Sequence, residues 1–403
     1  MANHRHKALR KEEGFREPPD LPLEILLDIF ARADPVTVVR CAAASKLLRR
    51  HIADPSFHRS LRNHADGFVP ALLVGMFFYR ADEMRHFVSL PPSANLALSL
   101  APANGGDDSF DLYSFRPVAS RAGIVVLSRD RISPQRDLWL CVGSPVTGRY
   151  AFLPPAAVIS VCSHVLLAGD DGEGATRPFF RLLVLDPAFR TQTFSSRTGE
   201  WGPVTEPFAH LDLPYGSEIA RCSTVVLRGV AHWLYEYHDV NRPSPHGYGV
   251  LAVSVAGTAG PATAVEIPPH CPRRRRREVP EDLLLARSAE GRLALLVAES
   301  LGIAMWTLLS DDGSASWARR VVVDRERILG SAKLHCHPLG CVGTELEWFA
   351  EASGTVLFQV NGAGILLLNL HTGEISQFCQ GLSIRRSLRC CRTRWIWVPC
   401  LKP

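Results

Sequence analysis

The chain is poor in lysine. Of 403 residues and 45 basic side chains, lysine supplies only Lys7, Lys11, Lys46, Lys333 and Lys402, and the others are arginine. Long apolar runs are also missing. The longest, Phe68–Phe78, is broken by Pro70 and falls well short of the ~20 residues that span a bilayer, so no membrane partner is expected. The opening stretch, M-A-N-H-R-H-K-A-L-R-K-E-E-G, lacks the apolar segment of a secretory signal, and a cytoplasmic or nuclear compartment is expected. The 11 cysteines are odd in number and have no framework spacing, which fits reduced thiols better than disulfides. A net charge of +5 is too mild to make nucleic acid the default partner.

Recognisable catalytic patterns are absent as well. There is no G-x-S-x-G elbow, no H-E-x-x-H helix and no set of Ser, His and Asp that spacing alone would join. His335-Cys336-His337 with Cys341, and Cys390-Cys391, lack the paired spacing of zinc ligands; ordinary packing or surface roles are expected there. The segment Gly169–Gly174 (G-D-D-G-E-G) resembles no phosphate cradle, because its three acids repel phosphate and no Walker lysine follows. Arg273–Arg277, bounded by Pro272 and Pro280, reads as a solvated loop. Its functional alternatives are a nuclear-localisation signal or a contact for an acidic partner. No cofactor, no metal and no enzymatic activity is expected.

What is present is globular composition, 46% hydrophobic and 21% charged, in a chain too long for one core. Residues 1–19 form a polar leader ending in Pro18-Pro19. From Leu21 three short helical segments follow. Pro22 fits a first helical turn, Asp34-Pro35 starts a second helix, Ser45 caps a third, and Asp54-Pro55 stops it. The first helix is apolar nearly all round: Leu23, Leu27 and Phe30 share one face, and Ile25 and Ile29 share another. A helix apolar on every side must be buried on every side, yet a module of ~40 residues has too little of its own material to cover it. One face is therefore expected to dock on something else, either a partner or the remainder of the chain.

Leu21-Pro22-Leu23-Glu24-Ile25-Leu26, Ile29, Asp34-Pro35, Arg40-Cys41-Ala42, Ser45-Lys46 and Asp54-Pro55-Ser56-Phe57 together resemble the F-box. The resemblance covers residues 20–61. The family ordinarily has tryptophan where this chain has Leu48, valine at Ala44 and leucine at Ala33. It implies a three-helix module that binds the Skp adaptor of cullin–RING ubiquitin ligases, here through Leu21, Pro22, Ile25, Ile29 and Leu48.

The rest of the chain has all-β texture, with short runs of Val, Leu, Ile, Phe and Trp between Gly, Pro, Asp and Ser clusters. Three four-strand units are legible: 224–227, 231–237, 251–256 and 264–269; 283–286, 292–298, 304–309 and 317–323; 346–350, 355–360, 365–370 and 374–379. Two earlier units show three strands each: 123–127, 137–142 and 149–155; 181–186, 191–196 and 200–204. Turn glycines at Gly148, Gly199, Gly257, Gly313 and Gly373 recur about every 50–60 residues, nearer to kelch length than to WD-repeat length. Residues 71–79 and 85–90 can pair with a last strand, 393–398, to close a ring.

The expected architecture is an F-box at 20–62 followed by a β-propeller at 63–403, with six blades or, alternatively, five. It resembles the propellers that follow the F-box in many plant F-box proteins. Trp233, Tyr235 and Tyr237 alternate along one strand and are expected in the inter-blade core, the alternative being the propeller mouth. The resemblance implies a non-catalytic substrate receptor that holds a target protein near the ligase. A non-ligase scaffold with a degenerate F-box is the competing reading, and a propeller enzyme would need an acid or metal constellation that the sequence lacks.

Overall fold

A computed structural model describes residues 22–32, 41, 45–52, 54, 73–80, 83–89, 115–121, 124–130, 138–144, 149–158, 161–169, 179–238, 246–255, 261–268, 271, 283–309, 316–332, 343–351, 353–360, 363–379 and 396–399. The chain divides into two compact units, Met1–Ala65 and Asp66–Pro403.

In the first unit, helix α1 spans Leu23–Arg32 and α2 spans Lys46–Ile52. Pro22 stands just before α1, at the cap rather than within the first turn. Its carbonyl accepts the N–H groups of Ile25 (3.0 Å) and Leu26 (3.1 Å), and the N–H that proline lacks is not needed there. Ser45 Oγ accepts the Leu48 N–H at 3.4 Å, the capping role expected of it. Of the expected second helix only Cys41 is among the described residues, and it is helical; Asp34-Pro35 lies outside them, as does the leader.

The second unit is built of antiparallel meanders. Strands β1 (Leu73–Arg80) and β2 (Glu83–Ser89) precede five four-stranded sheets. Blade 1 comprises β3 (Arg116–Arg121), β4 (Ile124–Asp130), β5 (Leu138–Ser144) and β6 (Arg149–Phe152). Blade 2 comprises β7 (Ser163–Gly169), β8 (Phe179–Leu185), β9 (Thr191–Ser195) and β10 (Glu200–Trp201). Blade 3 comprises β11 (Glu218–Leu227), β12 (Val230–His238), β13 (His246–Ser254) and β14 (Thr263–Glu266). Blade 4 comprises β15 (Leu283–Arg287), β16 (Leu293–Glu299), β17 (Gly302–Leu308) and β18 (Trp317–Asp324). Helix α3 (Arg325–Ser331) follows, capped by the Asp324 carboxylate on the Arg327 N–H. Blade 5 comprises β19 (Thr344–Ala350), β20 (Thr355–Val360), β21 (Gly364–Asn369) and β22 (Ile375–Cys379).

The last strand, β23 (Ile396–Pro399), pairs antiparallel with β1, placing Trp397 opposite Met76 and Ile396 opposite Phe77. The two ends of this unit thus share one three-stranded sheet, ordered β2-β1-β23, as the sequence led one to expect. Five complete blades is the lower of the two expected counts. The inner strands of blades 1 and 2, β3 and β7, are additions to the units read from sequence.

Burial runs as a gradient across each blade. Strands β16 and β20 are buried on both faces almost throughout, whereas the outermost strands β6, β14 and β18 are largely exposed. A middle strand is sandwiched between neighbouring blades, so both of its faces must be apolar. This explains the unbroken apolar runs L-A-L-L-V and V-L-F where a half-solvated strand would alternate. Trp233 and Tyr235 are buried between blades 2 and 3 with Leu183, Leu185 and Phe208, the core placement expected, while Tyr237 is half-buried at the rim of that cluster.

Polar ties cross between blades as well. Trp233 Nε1 donates to Ser163 Oγ (3.0 Å), which shares a 3.1 Å hydrogen bond with Thr224 Oγ1. On the outer strands, Trp201 Nε1 donates to the Pro154 carbonyl (2.7 Å) and Trp317 Nε1 to the Glu266 carbonyl (3.1 Å), so two blades repeat one latch.

Tight turns carry the glycines. Arg228 and Gly229 both have positive φ, 48° and 78°, the two-residue hairpin geometry whose twist matches its strands. Gly199 and Gly373 adopt φ of 75° and 69°, as their recurrence predicts; Gly148, Gly257 and Gly313 lie outside the described residues. A different need operates at Gly249. It pairs with Tyr235, and a Cβ there would meet the ring at 2.5 Å.

Candidate partner-binding surfaces

Helix α1 buries Phe30 and half-buries Leu23, Leu26 and Leu27. Ile25 and Ile29, one turn apart, stay 47% and 48% exposed. Pro22, at the i−3 position to Ile25, is exposed too, so Pro22, Ile25 and Ile29 lie along one side of the helix. Of the remaining expected site residues, Leu48 is half-buried, and Leu21 lies outside the described residues. Leu47, exposed on α2, is an apolar surface residue that the sequence reading passed over. Its signal was the Leu47-Leu48 pair, which a helix cannot turn to one face.

The two ends of the propeller differ because strand direction alternates within each blade. The first-to-second and third-to-fourth connections fall at one end, where turns such as Arg228-Gly229 and those at Gly291, Gly354 and Gly373 are short. The second-to-third connections and the blade-to-blade connections fall at the other. That end carries the long segment 202–217. A cleft of about 400 Å³ opens there, lined by Phe189, Arg190, Glu206, Phe208 and Leu213.

The buried Asp186 holds the turn Ala188–Arg190 that lines one side of the cleft. Its carboxylate accepts the N–H groups of Ala188 (3.0 Å) and Arg190 (2.8 Å), and the Arg190 guanidinium closes on it at 2.8 Å. Phe189, held in this turn at φ 60°, occupies a left-handed conformation that bulky residues rarely adopt; its ring meets Phe208 edge-on.

At the opposite end one carboxylate joins three inner strands. Glu351, after β19, accepts from Arg121 Nη1 of β3 (3.1 Å) and from the Val226 N–H of β11 (3.0 Å). These strands belong to blades 1, 3 and 5, so the contact crosses the central channel. In the β15–β16 turn, the Glu290 carboxyl is held below its ordinary value by a hydrogen bond from Ser288, with backbone bonding and Arg320 and Arg292 adding to the effect.

Among the described residues no three His, Cys, Asp or Glu side chains are grouped to hold a metal, and no helix is long and apolar enough to cross a membrane. Cys41, Cys141, Cys162 and Cys271 are free thiols. The His335–Cys341 cluster, Cys390-Cys391, the Arg273–Arg277 run and residues 170–174 lie outside the described residues.

No curated relative matches the chain. Among solved structures, puromycin hydrolase is 16% identical with a TM-score of 0.42, over 70% of this chain and 40% of that one. Saccharomyces cerevisiae Sqt1 is 8% identical with a TM-score of 0.38, over 65% and 60%. The β-propeller domain of the Trilobed protease from Pyrococcus furiosus is 11% identical with a TM-score of 0.35, over 74% and 71%. The chain spans about two fifths of the length of the puromycin hydrolase it matches. An F-box-like family model matches residues 18–64, and an F-box-like module ahead of a propeller fits a substrate-recognition adaptor in general. Over the propeller, residues 99–384 match the family model described as Domain of unknown function (DUF7595), and the chain belongs to that family.

Proposed function

We propose that this chain is the substrate-recognition subunit of a Skp–cullin–F-box ubiquitin ligase. In this reading residues 1–19 are a leader, residues 20–62 bind the Skp adaptor, and residues 63–403 hold a target protein on the end that bears the cleft. The chain makes no bond itself; it raises the target's effective concentration beside the ubiquitin-charged enzyme, in the cytoplasm or nucleus.

The observation that carries the proposal is the exposed Ile25–Ile29 strip on a helix whose other apolar residues Leu23, Leu26, Leu27 and Phe30 are half-buried or buried. Pro22 extends that strip at its start, with Leu21 and Leu48 proposed as further adaptor contacts. Covering the open half of each isoleucine is worth on the order of 1 kcal/mol, and a buried aspartate in its place costs several times more. Ile25→Asp and Ile29→Asp in the full chain are therefore each expected to weaken co-purification with the Skp adaptor by at least about tenfold. Unchanged adaptor binding in both variants, with the thermal melt intact, would refute the proposal.

Leu48 in place of the family's tryptophan favours a second reading, an interaction scaffold whose F-box packs only internally. On that reading the wild-type chain fails to retain the adaptor, and Leu48→Trp restores it.

A further inference from the structure

We infer that the propeller is kept nearly free of ubiquitin acceptors, with Lys333 and Lys402 its only two lysines, so that the receptor largely escapes modification by its own ligase. The inference rests on the proposed function and extends it to regulation. No lysine stands between Lys46 and Lys333, and among the described residues Lys46, on the exposed side of α2, is the one lysine. Among the described residues of the propeller the Lys/Arg cations are all arginine; Lys333 and Lys402 are the two lysines of that range in the sequence.

Some of these arginines have work that needs a planar guanidinium. Arg190 grips Asp186 through Nε and Nη2 (2.8 Å each), Arg319 pairs with Glu299 through two nitrogens, and Arg327 reaches the Gly373 carbonyl at 2.9 Å. Lysine would not replace them. Arg149, Arg228 and Arg320 are different. They are exposed, on blades 1, 3 and 4, and no side-chain hydrogen bond or ion pair ties them to another described residue. For stability and charge a lysine would serve at these sites, so guanidinium geometry does not account for its exclusion there.

Chemistry separates the two residues. A lysine ε-amine, once deprotonated, attacks the thioester carbonyl joining ubiquitin's C-terminus to the conjugating enzyme's cysteine. An isopeptide bond forms, the C–S bond breaks, and the cysteine leaves as thiol with the proton. A guanidinium stays protonated throughout the physiological range and its lone pairs are delocalised, so arginine supplies the same charge without the nucleophile. A receptor sits close to the charged enzyme for as long as it is assembled, so each exposed amine on it competes with the target.

The test uses the full chain assembled with a Skp adaptor, a cullin–RING core, a conjugating enzyme and ubiquitin. The wild type is compared with the triple variant Arg149→Lys, Arg228→Lys and Arg320→Lys. Conjugates on the receptor are expected to rise at least about fivefold in the variant and to map by mass spectrometry to the new lysines. A lysine-bearing tag fused ahead of residue 1 reports whether the ligase is active. If the tag is modified and the variant gains no conjugates, arginine-rich composition is coding bias only and the inference is overturned while the receptor reading stands. If the wild-type chain assembles with no adaptor, both fall.

Discussion

The Glu351 clamp gives a sharp test of how the propeller is held together. Glu351 Oε1 accepts from the Val226 N–H at 3.0 Å and Oε2 pairs with Arg121 at 3.1 Å. The innermost strand of a blade has no strand beyond it, so its channel-facing N–H groups need another acceptor. Val226 is buried, and stripping its acceptor leaves an unsatisfied donor costing ~1–3 kcal/mol. The ion pair, with side chains 33% and 27% exposed, adds only ~0.5–1 kcal/mol after solvent screening. Glu351→Ala should therefore lose about 1.5–4 kcal/mol. Glu351→Gln keeps an oxygen for Val226 and should lose only about 0.5–1 kcal/mol, as should Arg121→Ala.

Thermal melts of the full chain read this directly. A loss of that size lowers the midpoint by a few degrees, and the double variant Glu351→Gln with Arg121→Ala should be less than additive. Equal losses in Glu351→Ala and Glu351→Gln would show that charge rather than amide satisfaction dominates. No loss in either would show that the three blades are not clamped at this point.

Two further outcomes follow from local geometry. Gly249→Ala places a methyl 2.5 Å from the Tyr235 ring and should destabilise by ~1–3 kcal/mol; combined with Tyr235→Leu the added methyl should cost less, and strict additivity in the melts would contradict the close-approach argument. The Ser288 hydroxyl is the leading cause of the lowered Glu290 carboxyl. A depressed acid contributes stability above its unfolded value and loses it as pH falls through the lowered one. Ser288→Ala also removes the acceptor for the Arg292 N–H (3.2 Å), a pH-independent loss. The wild type's margin over Ser288→Ala in melting temperature should therefore narrow from neutral pH to about pH 3; a constant margin would refute it.

Strands that bury both faces were legible because they need continuous apolar runs, and β12, β15, β16, β20 and β21 fall within a residue or two of their expected positions. Glycine turns were legible for a backbone reason, since positive φ restricts the residue type. The inner strand β3, R-P-V-A-S-R, was not. It lines the channel, carries arginines at its ends, and is interrupted at Pro117, next to the register shift before Ala119. Such a sequence reads as loop until its neighbours are known. The strip on α1 was legible as an excess of apolar faces, whereas which face stays open was a matter of packing.

The sequence alone determined the division into a short helical module and a repeated β region, because periodicity and turn chemistry are properties of neighbouring residues. Tertiary structure alone decided that β1 rather than β2 receives β23, how far Ile25 and Ile29 stay open to solvent, and the meeting of Glu351 with Arg121 and Val226, partners 230 and 125 residues away. Contacts at that distance are set by how blades pack around an axis, and no local pattern encodes them.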